Sequence, residues 1–250
     1  MIHFVGAGPG ATDLITVKGQ KLLQEADVII YAGSLVNKDL LDIAKQSCQI
    51  HNSASMTLEE VIEVMLNAES KRYSTVRLHT GDPSIYGAIR EQMDELEKKK
   101  VPFEVIPGVS SFFGAAATLK TEYTLPDVSQ TVIITRMEGR TPVPDKEEIS
   151  LLATHQATMV IFLSTGLLEA LRERLLVGGY SEDTPAAIVY KATWPEEKVF
   201  HGTVQTLPEI AKKNNITKTA LILVGDFLGK DYERSKLYSP TFTHEFRERN

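Results

Sequence analysis

Short runs of β-branched and aliphatic residues, ending in glycine turns and alternating with longer stretches of helical spacing, dominate the first hundred residues. Helices crossing over a largely parallel sheet read this way, because two parallel strands cannot be joined by a tight turn. An α/β fold is expected. Ile2 to Val5 reads as a first strand, followed by a glycine loop and by Leu14, Val17, Leu22, Leu23 and Ala26 at roughly helical spacing. Val28 to Tyr31 reads as a buried second strand. Thr57-Leu58-Glu59-Glu60 fits a capping box that opens a helix with Val61, Val64, Met65 and Ala68 on one face. Thr75 to His79 returns as a third strand, and Ile85 to Lys99 reads as a helix whose closing Lys98-Lys99-Lys100 suits the negative end of the helix dipole. Phe103 to Ile106 is another strand, turned by Pro107-Gly108 into a small-residue helix from Phe113 to Leu119.

Periodicity lapses at 120–127, where Pro126 interrupts it, so this stretch reads as a linker between domains at 1–119 and 128–250. In the second domain strands are expected at Thr131–Thr135, Thr158–Leu163, Pro185–Lys191, Lys198–Gly202 and Thr219–Gly225, with a helix from Leu167 to Leu176. Trp194-Pro195 between two strand-like runs suggests an antiparallel hairpin, making the second sheet mixed where the first is mainly parallel. The tail after Lys230 is polar.

A net charge of −6 lacks the basic excess of a nucleic-acid binder. Cys48 is the only cysteine, which excludes an internal disulfide framework and thiolate metal clusters; it reads as a small apolar residue in a reducing compartment. The six histidines are scattered without ligand spacing, so no protein-bound metal is expected. The opening Met1-Ile2-His3-Phe4-Val5-Gly6 has no positive leader region, and no stretch approaches the roughly 18 apolar residues of a membrane span. A cytoplasmic protein that binds neither nucleic acid nor membrane is expected.

Gly6-Ala7-Gly8-Pro9-Gly10-Ala11 satisfies G-x-G-x-x-G/A, the loop that sets a pyrophosphate on a helix N-terminus. A nicotinamide-dependent oxidoreductase would also need an acid at the end of strand two, where Ala32 stands, and Pro9 removes an amide from the loop. A purely structural turn is the other reading of this loop. Thr80-Gly81-Asp82-Pro83-Ser84-Ile85-Tyr86-Gly87 follows the carboxyl end of a strand, where open α/β sheets bind ligands. Asp82 there offers a carboxylate at the crevice or an Asx brace for its own loop.

Taken together, Gly6-x-Gly8-Pro9-Gly10-x-x-x-Leu14-Ile15-Thr16 with Gly19 resembles the first signature of the tetrapyrrole (uroporphyrin-III C-methyltransferase-like) methylase family. Gly81-Asp82, Tyr86-Gly87, Leu96 and Pro107-Gly108 resemble its second, opening with Thr75 where the family often has Val, and the likeness continues through Ala220 to Gly225. Within the family, Tyr31-Ala32-Gly33-Ser34-Leu35-Val36 is similar to the branch that methylates carbon 11 of precorrin-4 or cobalt-precorrin-4, whereas members acting on uroporphyrinogen tend to carry Asp at the position of Ala32.

The resemblance implies a kidney-shaped homodimer of two-domain subunits. It also implies S-adenosylmethionine as methyl donor in the cleft between the domains, S-adenosylhomocysteine as product, and a place in cobalamin synthesis. By the same resemblance Pro9, Thr80, Gly81, Asp82, Ile85, Ser110 and Ser111 match cofactor positions, as do Ser164, Ala192, Thr219 and Ala220 of the second domain. Asp82 and Tyr86 are the catalytic candidates. Ser34 and Leu35, in the branch-distinguishing loop, and Arg77, Arg136 and Lys191, at or near strand ends, are candidates for the carboxylate-bearing macrocycle. Rival readings are a tetrapyrrole methylase with another carbon target, a diphthine-synthase-like protein methyltransferase, and a binding module without turnover.

Overall fold

Strands buried on both faces need a helix layer on each side, and the five strands of the first half have that need in graded form. In the computed structural model, which describes residues 1–236, 242, 243 and 245, β1 (Ile2–Gly6), β2 (Val28–Tyr31) and β4 (Thr75–His79) are buried throughout, while β3 (Gln49–Asn52) and β5 (Phe103–Ile106) are partly exposed. The order follows: β3-β2-β4-β1-β5, all parallel, with the two exposed strands at the edges. The tail beyond residue 236 lies, but for those three positions, outside the described residues.

Crossovers between parallel strands are right-handed, so the direction of each step along the sheet chooses its face. α1 (Val17–Glu25) steps one way, from β1 to β2. Its Leu23 packs with Val5, Ile29, Val76 and Leu78. α2 (Leu58–Ser70) and α3 (Arg90–Lys98) step the other way and cover the opposite face, where Val61, Met65 and Leu96 meet Ile2, Phe4, Val28 and Ile30. The capping box is present: Thr57 accepts the Glu60 amide and Glu60 accepts the Thr57 amide.

Two expectations in this half are corrected. β3 reads Gln-Ile-His-Asn, an edge strand too polar to stand out, so Thr75–His79 is the fourth strand and not the third. The helix expected from Ile85 begins only at Arg90, because Tyr86 and Ala88 take left-handed φ of 55° and 49°, which no α-helix propagates through. The basic run does close α3: Lys98 in its last turn pairs with Glu95 at 2.6 Å. α4 (Ser111–Leu119) starts two residues earlier than expected.

The second sheet runs β6-β7-β10-β8-β9, from β6 (Val132–Arg136), β7 (Thr158–Phe162), β8 (Pro185–Tyr190), β9 (Lys198–Thr203) and β10 (Ala220–Val224). β6 and β7 are parallel and the other pairs antiparallel, so the sheet is mixed, and β8 and β9 form the expected hairpin with Tyr190 opposite Lys198. α6 (Leu168–Val177) matches its expected range within one residue, whereas α5 (Ile149–Ala153) and α7 (Leu207–Lys213) are too short for periodicity to reveal. All three helices pack Ile149, Leu171, Leu175 and Leu207 onto Met159, Ile161, Ile188 and Ile222.

By internal contacts the chain divides into Met1–Ala115 with Lys191–Glu197, and Ala116–Tyr190 with the residues from Lys198 onward. The division passes through α4 rather than 120–127, and the hairpin tip returns to the first unit. Among the described residues no helix is long and apolar enough to cross a membrane.

Candidate active site

Three loops leave the carboxyl ends of β1, β4 and β5 and meet through glycines. A Cβ on Gly6 would lie 2.5 Å from the Gly108 Cα, and one on Gly108 would lie 2.1 Å from the Gly81 carbonyl oxygen. Nothing larger than hydrogen fits at either position. Gly8 and Gly81 form an isolated antiparallel bridge, with the Gly81 amide donating to the Gly8 carbonyl at 2.9 Å. Thus Pro9, Thr80, Gly81, Asp82, Ser110 and Ser111, matched to cofactor positions from sequence, come together at one end of the first sheet. Pro9 and Ser110 are buried; Thr80, Ile85 and Ser111 are half-buried.

Asp82 ties this knot. Its Oδ2 accepts the Gly108 amide at 2.8 Å, and its Oδ1 accepts the Ser84 amide at 2.8 Å and the Ser84 hydroxyl. Burial raises the carboxyl, but these hydrogen bonds outweigh it and hold it below the ordinary aspartate value. The carboxylate therefore braces its own loop and the next one. Tyr86 is 47% exposed and projects from that loop, in which Gly87 packs against the Pro83 carbonyl.

The loop after β1 opens only a single 3-10 turn, Thr12–Leu14, and not an α-helix. Ala7, Gly8 and Ala11 spend their amides on His79, Gly81 and Thr193, Pro9 has none, and α1 starts only at Val17 with Thr16 as its cap. That arrangement opposes the dinucleotide reading, since the amides that would cradle a pyrophosphate are already engaged and no α-helix follows the loop directly. Gly10 is glycine for another reason: a Cβ there would lie 2.1 Å from Cδ1 of Trp194, whose indole Nε1 donates to the Pro9 carbonyl at 3.1 Å.

Thr193 and Trp194 were not anticipated as site residues, because only the fold brings the hairpin tip to the glycine loop. Asn37 was missed likewise; its Nδ2 donates to the Gly10 carbonyl at 2.9 Å. Lys191 and Ala192 belong to this first unit, not to the second domain where Ala192 was expected. Lys191 lies over the Trp194 ring at 5.1 Å from its centroid and pairs with Glu196 at 3.3 Å. Leu35 is exposed, and the Ser34 side chain lies outside the described residues.

Arg77 is not at a strand end. It sits in mid-β4, 6% exposed, and donates from Nε to Gln92 Oε1 at 3.0 Å and from Nη1 to the Ile30 carbonyl at 3.1 Å. Burial lowers its pKa to about 10. His79, on the same face of β4, stacks with Phe4, and its buried Nε2 has no hydrogen-bond partner. Burial first, and the Arg77 charge second, lower its pKa to about 3, so the ring is neutral.

In the second unit Arg136, Ser164, Thr219 and Ala220 gather at one end of the sheet. Arg136 closes β6 opposite Phe162, and its guanidinium donates to the carbonyls of Met137, Thr141 and Pro142 in its own loop. Ser164 is fully buried, donating to the Phe162 carbonyl at 2.7 Å and accepting the Met137 amide at 2.8 Å. Thr165 donates to the Ala220 carbonyl at 3.2 Å, beside Thr219 with its left-handed φ of 59°.

Residues 1–208 match the family of Tetrapyrrole (Corrin/Porphyrin) Methylases. The cobalt-precorrin-4 C(11)-methyltransferase of Methanocaldococcus jannaschii is 57% identical over 247 residues, covering 98% of this chain and 95% of that one. The X-ray structure of a cobalt precorrin-4 methyltransferase, described as a cobalamin biosynthetic enzyme, superposes with a TM-score of 0.90 at 48% identity, covering 92% of this chain and 96% of the other. A uroporphyrin-III C-methyltransferase from Thermus thermophilus, complexed with S-adenosyl homocysteine, gives a TM-score of 0.75 at 25% identity over 91% and 93%.

Proposed function

The chain belongs to the tetrapyrrole methylase family, and from that premise we propose that it transfers a methyl group from S-adenosylmethionine to carbon 11 of cobalt-precorrin-4, a step of cobalamin biosynthesis. The observation that carries this reading is 57% identity to a cobalt-precorrin-4 C(11)-methyltransferase over nearly the full length of both chains. Ala32, where members acting on uroporphyrinogen tend to carry Asp, agrees with it. The proposal includes a homodimeric, cytoplasmic enzyme.

The residues at the carboxyl edge of the first sheet fit such a donor. Glycine at positions 6, 81 and 108 lets the three loops pack backbone to backbone, and Ile85, Thr80 and Ser111 are half-buried around them, a mix of apolar and hydroxyl groups. S-adenosylmethionine supplies an already electrophilic methyl carbon on a sulfonium centre. The chain therefore has to align donor and acceptor and keep water out, and no enzyme nucleophile is required. Asp82, its carboxylate engaged by Ser84 and Gly108, holds the loop geometry rather than attacking. Tyr86, exposed on the same loop, is proposed to face the ligands.

Calorimetric titration with S-adenosylhomocysteine, with NADH as control, tests the cofactor assignment without the unstable macrocycle. Saturable binding of the former alone supports it; binding of NADH alone, or of neither by folded protein, counts against it.

A further inference from the structure

The loop from Asp82 to Ala88 is fastened at both ends by side chains. Asp82 fastens its start to Gly108. At its end, Gln92 Nε2 donates to the Ala88 carbonyl at 2.9 Å, while Gln92 Oε1 accepts Arg77 Nε at 3.0 Å and Arg77 Nη1 reaches the Ile30 carbonyl at 3.1 Å. Arg77 and Gln92 are 6% and 5% exposed, and among the described residues no carboxylate pairs with the guanidinium. Burying a cation against neutral acceptors is costly, and an apolar pair of the same volume would join β4 to α3 at less cost. What an apolar pair cannot do is select one backbone conformation at Ala88, where φ is 49° and the chain must stop turning before α3 begins.

We propose that Gln92 is a positioning residue which, oriented by Arg77, fixes the far end of the loop carrying Asp82, Ile85 and Tyr86. This inference rests on the methyltransferase reading for its kinetic consequences only. Gln92 and Arg77 then contact neither donor nor acceptor, and their effect is to hold the pose in which both ligands are bound.

The test is Gln92→Glu, which keeps an acceptor for Arg77 but loses the donor to Ala88. Amide hydrogen exchange at residues 84–89 is expected to rise about tenfold, with the rest of the protein unchanged, because one anchoring hydrogen bond is lost locally. KM for cobalt-precorrin-4 is expected to rise about tenfold while kcat stays within about twofold, the pattern of lost binding geometry and not of lost chemistry. Should Gln92→Glu fail to fold, Gln92→Met, which drops both bonds, is read the same way. Parent-like exchange in a folded variant, or raised exchange with parent KM, overturns the proposal. A parent enzyme that transfers no methyl group to cobalt-precorrin-4 overturns the functional reading instead, while the exchange measurement, needing no substrate, still decides whether the loop is held through Gln92.

Discussion

The Gly108 amide donates to Asp82 Oδ2 at 2.8 Å, binding the loop after β5 to the loop after β4 at the point where Gly108 could carry no side chain. One carboxylate thus holds two of the three loops that make the proposed cofactor edge, and its second oxygen holds Ser84. The acid that looks available for catalysis is spent on geometry.

Asp82→Asn should weaken S-adenosylhomocysteine by at least about tenfold, because an amide turned to accept from one loop presents its NH2 to donors of the other. Calorimetry reads this directly. Unchanged affinity would show that the Gly108 bond is dispensable.

Gly108→Ala places a methyl 2.1 Å from the Gly81 carbonyl oxygen, with backbone on every side. We expect a loss of more than about 2 kcal/mol in urea unfolding and no measurable cofactor binding. Gly139→Ala is the control: its new Cβ would meet Leu167 Cδ1 at an ordinary 3.7 Å, and stability should stay within about 0.5 kcal/mol of the parent.

Trp194→Phe keeps a ring over Gly10 and removes the donor to the Pro9 carbonyl. About fivefold weaker S-adenosylhomocysteine binding is expected, the value of one ordinary hydrogen bond, with the melting temperature little changed. Parent affinity would place Trp194 outside the cofactor edge.

His79 gives a pH dependence of defined sign. Burial, with Arg77 adding to it, lowers its pKa from 6.5 to about 3, so the unfolded chain takes up a proton that the folded chain refuses. The associated stability is complete above pH 6.5 and is lost as the pH falls from there toward about 3. At pH 5 the loss is about 2 kcal/mol. Urea unfolding at pH 7 and pH 5 should show the parent losing about that much more than His79→Leu; equal losses would mean that His79 accepts a proton in the folded state.

Much of this architecture is legible in residue order because it depends on local spacing. The capping box at Thr57, the central strands with their unbroken aliphatic runs, and the hairpin around Trp194-Pro195 all declare themselves within a few residues. What stayed hidden depends on contacts distant in sequence. Gly10 looks like a phosphate-loop glycine until Trp194 is found seated on it, and Arg77 looks like a substrate cation until Gln92 and Ile30 are found around it. The late start of α3 was masked because Ile85 to Ile89 continues a helical pattern that left-handed Tyr86 and Ala88 forbid.

The most direct test of the central claim is incubation of the purified protein with cobalt-precorrin-4 and methyl-13C-labelled S-adenosylmethionine, followed by NMR location of the label. The account predicts one labelled methyl group per macrocycle, attached at carbon 11, with stoichiometric S-adenosylhomocysteine. Label at any other carbon, or a macrocycle left unmethylated by protein that binds S-adenosylhomocysteine, would contradict it.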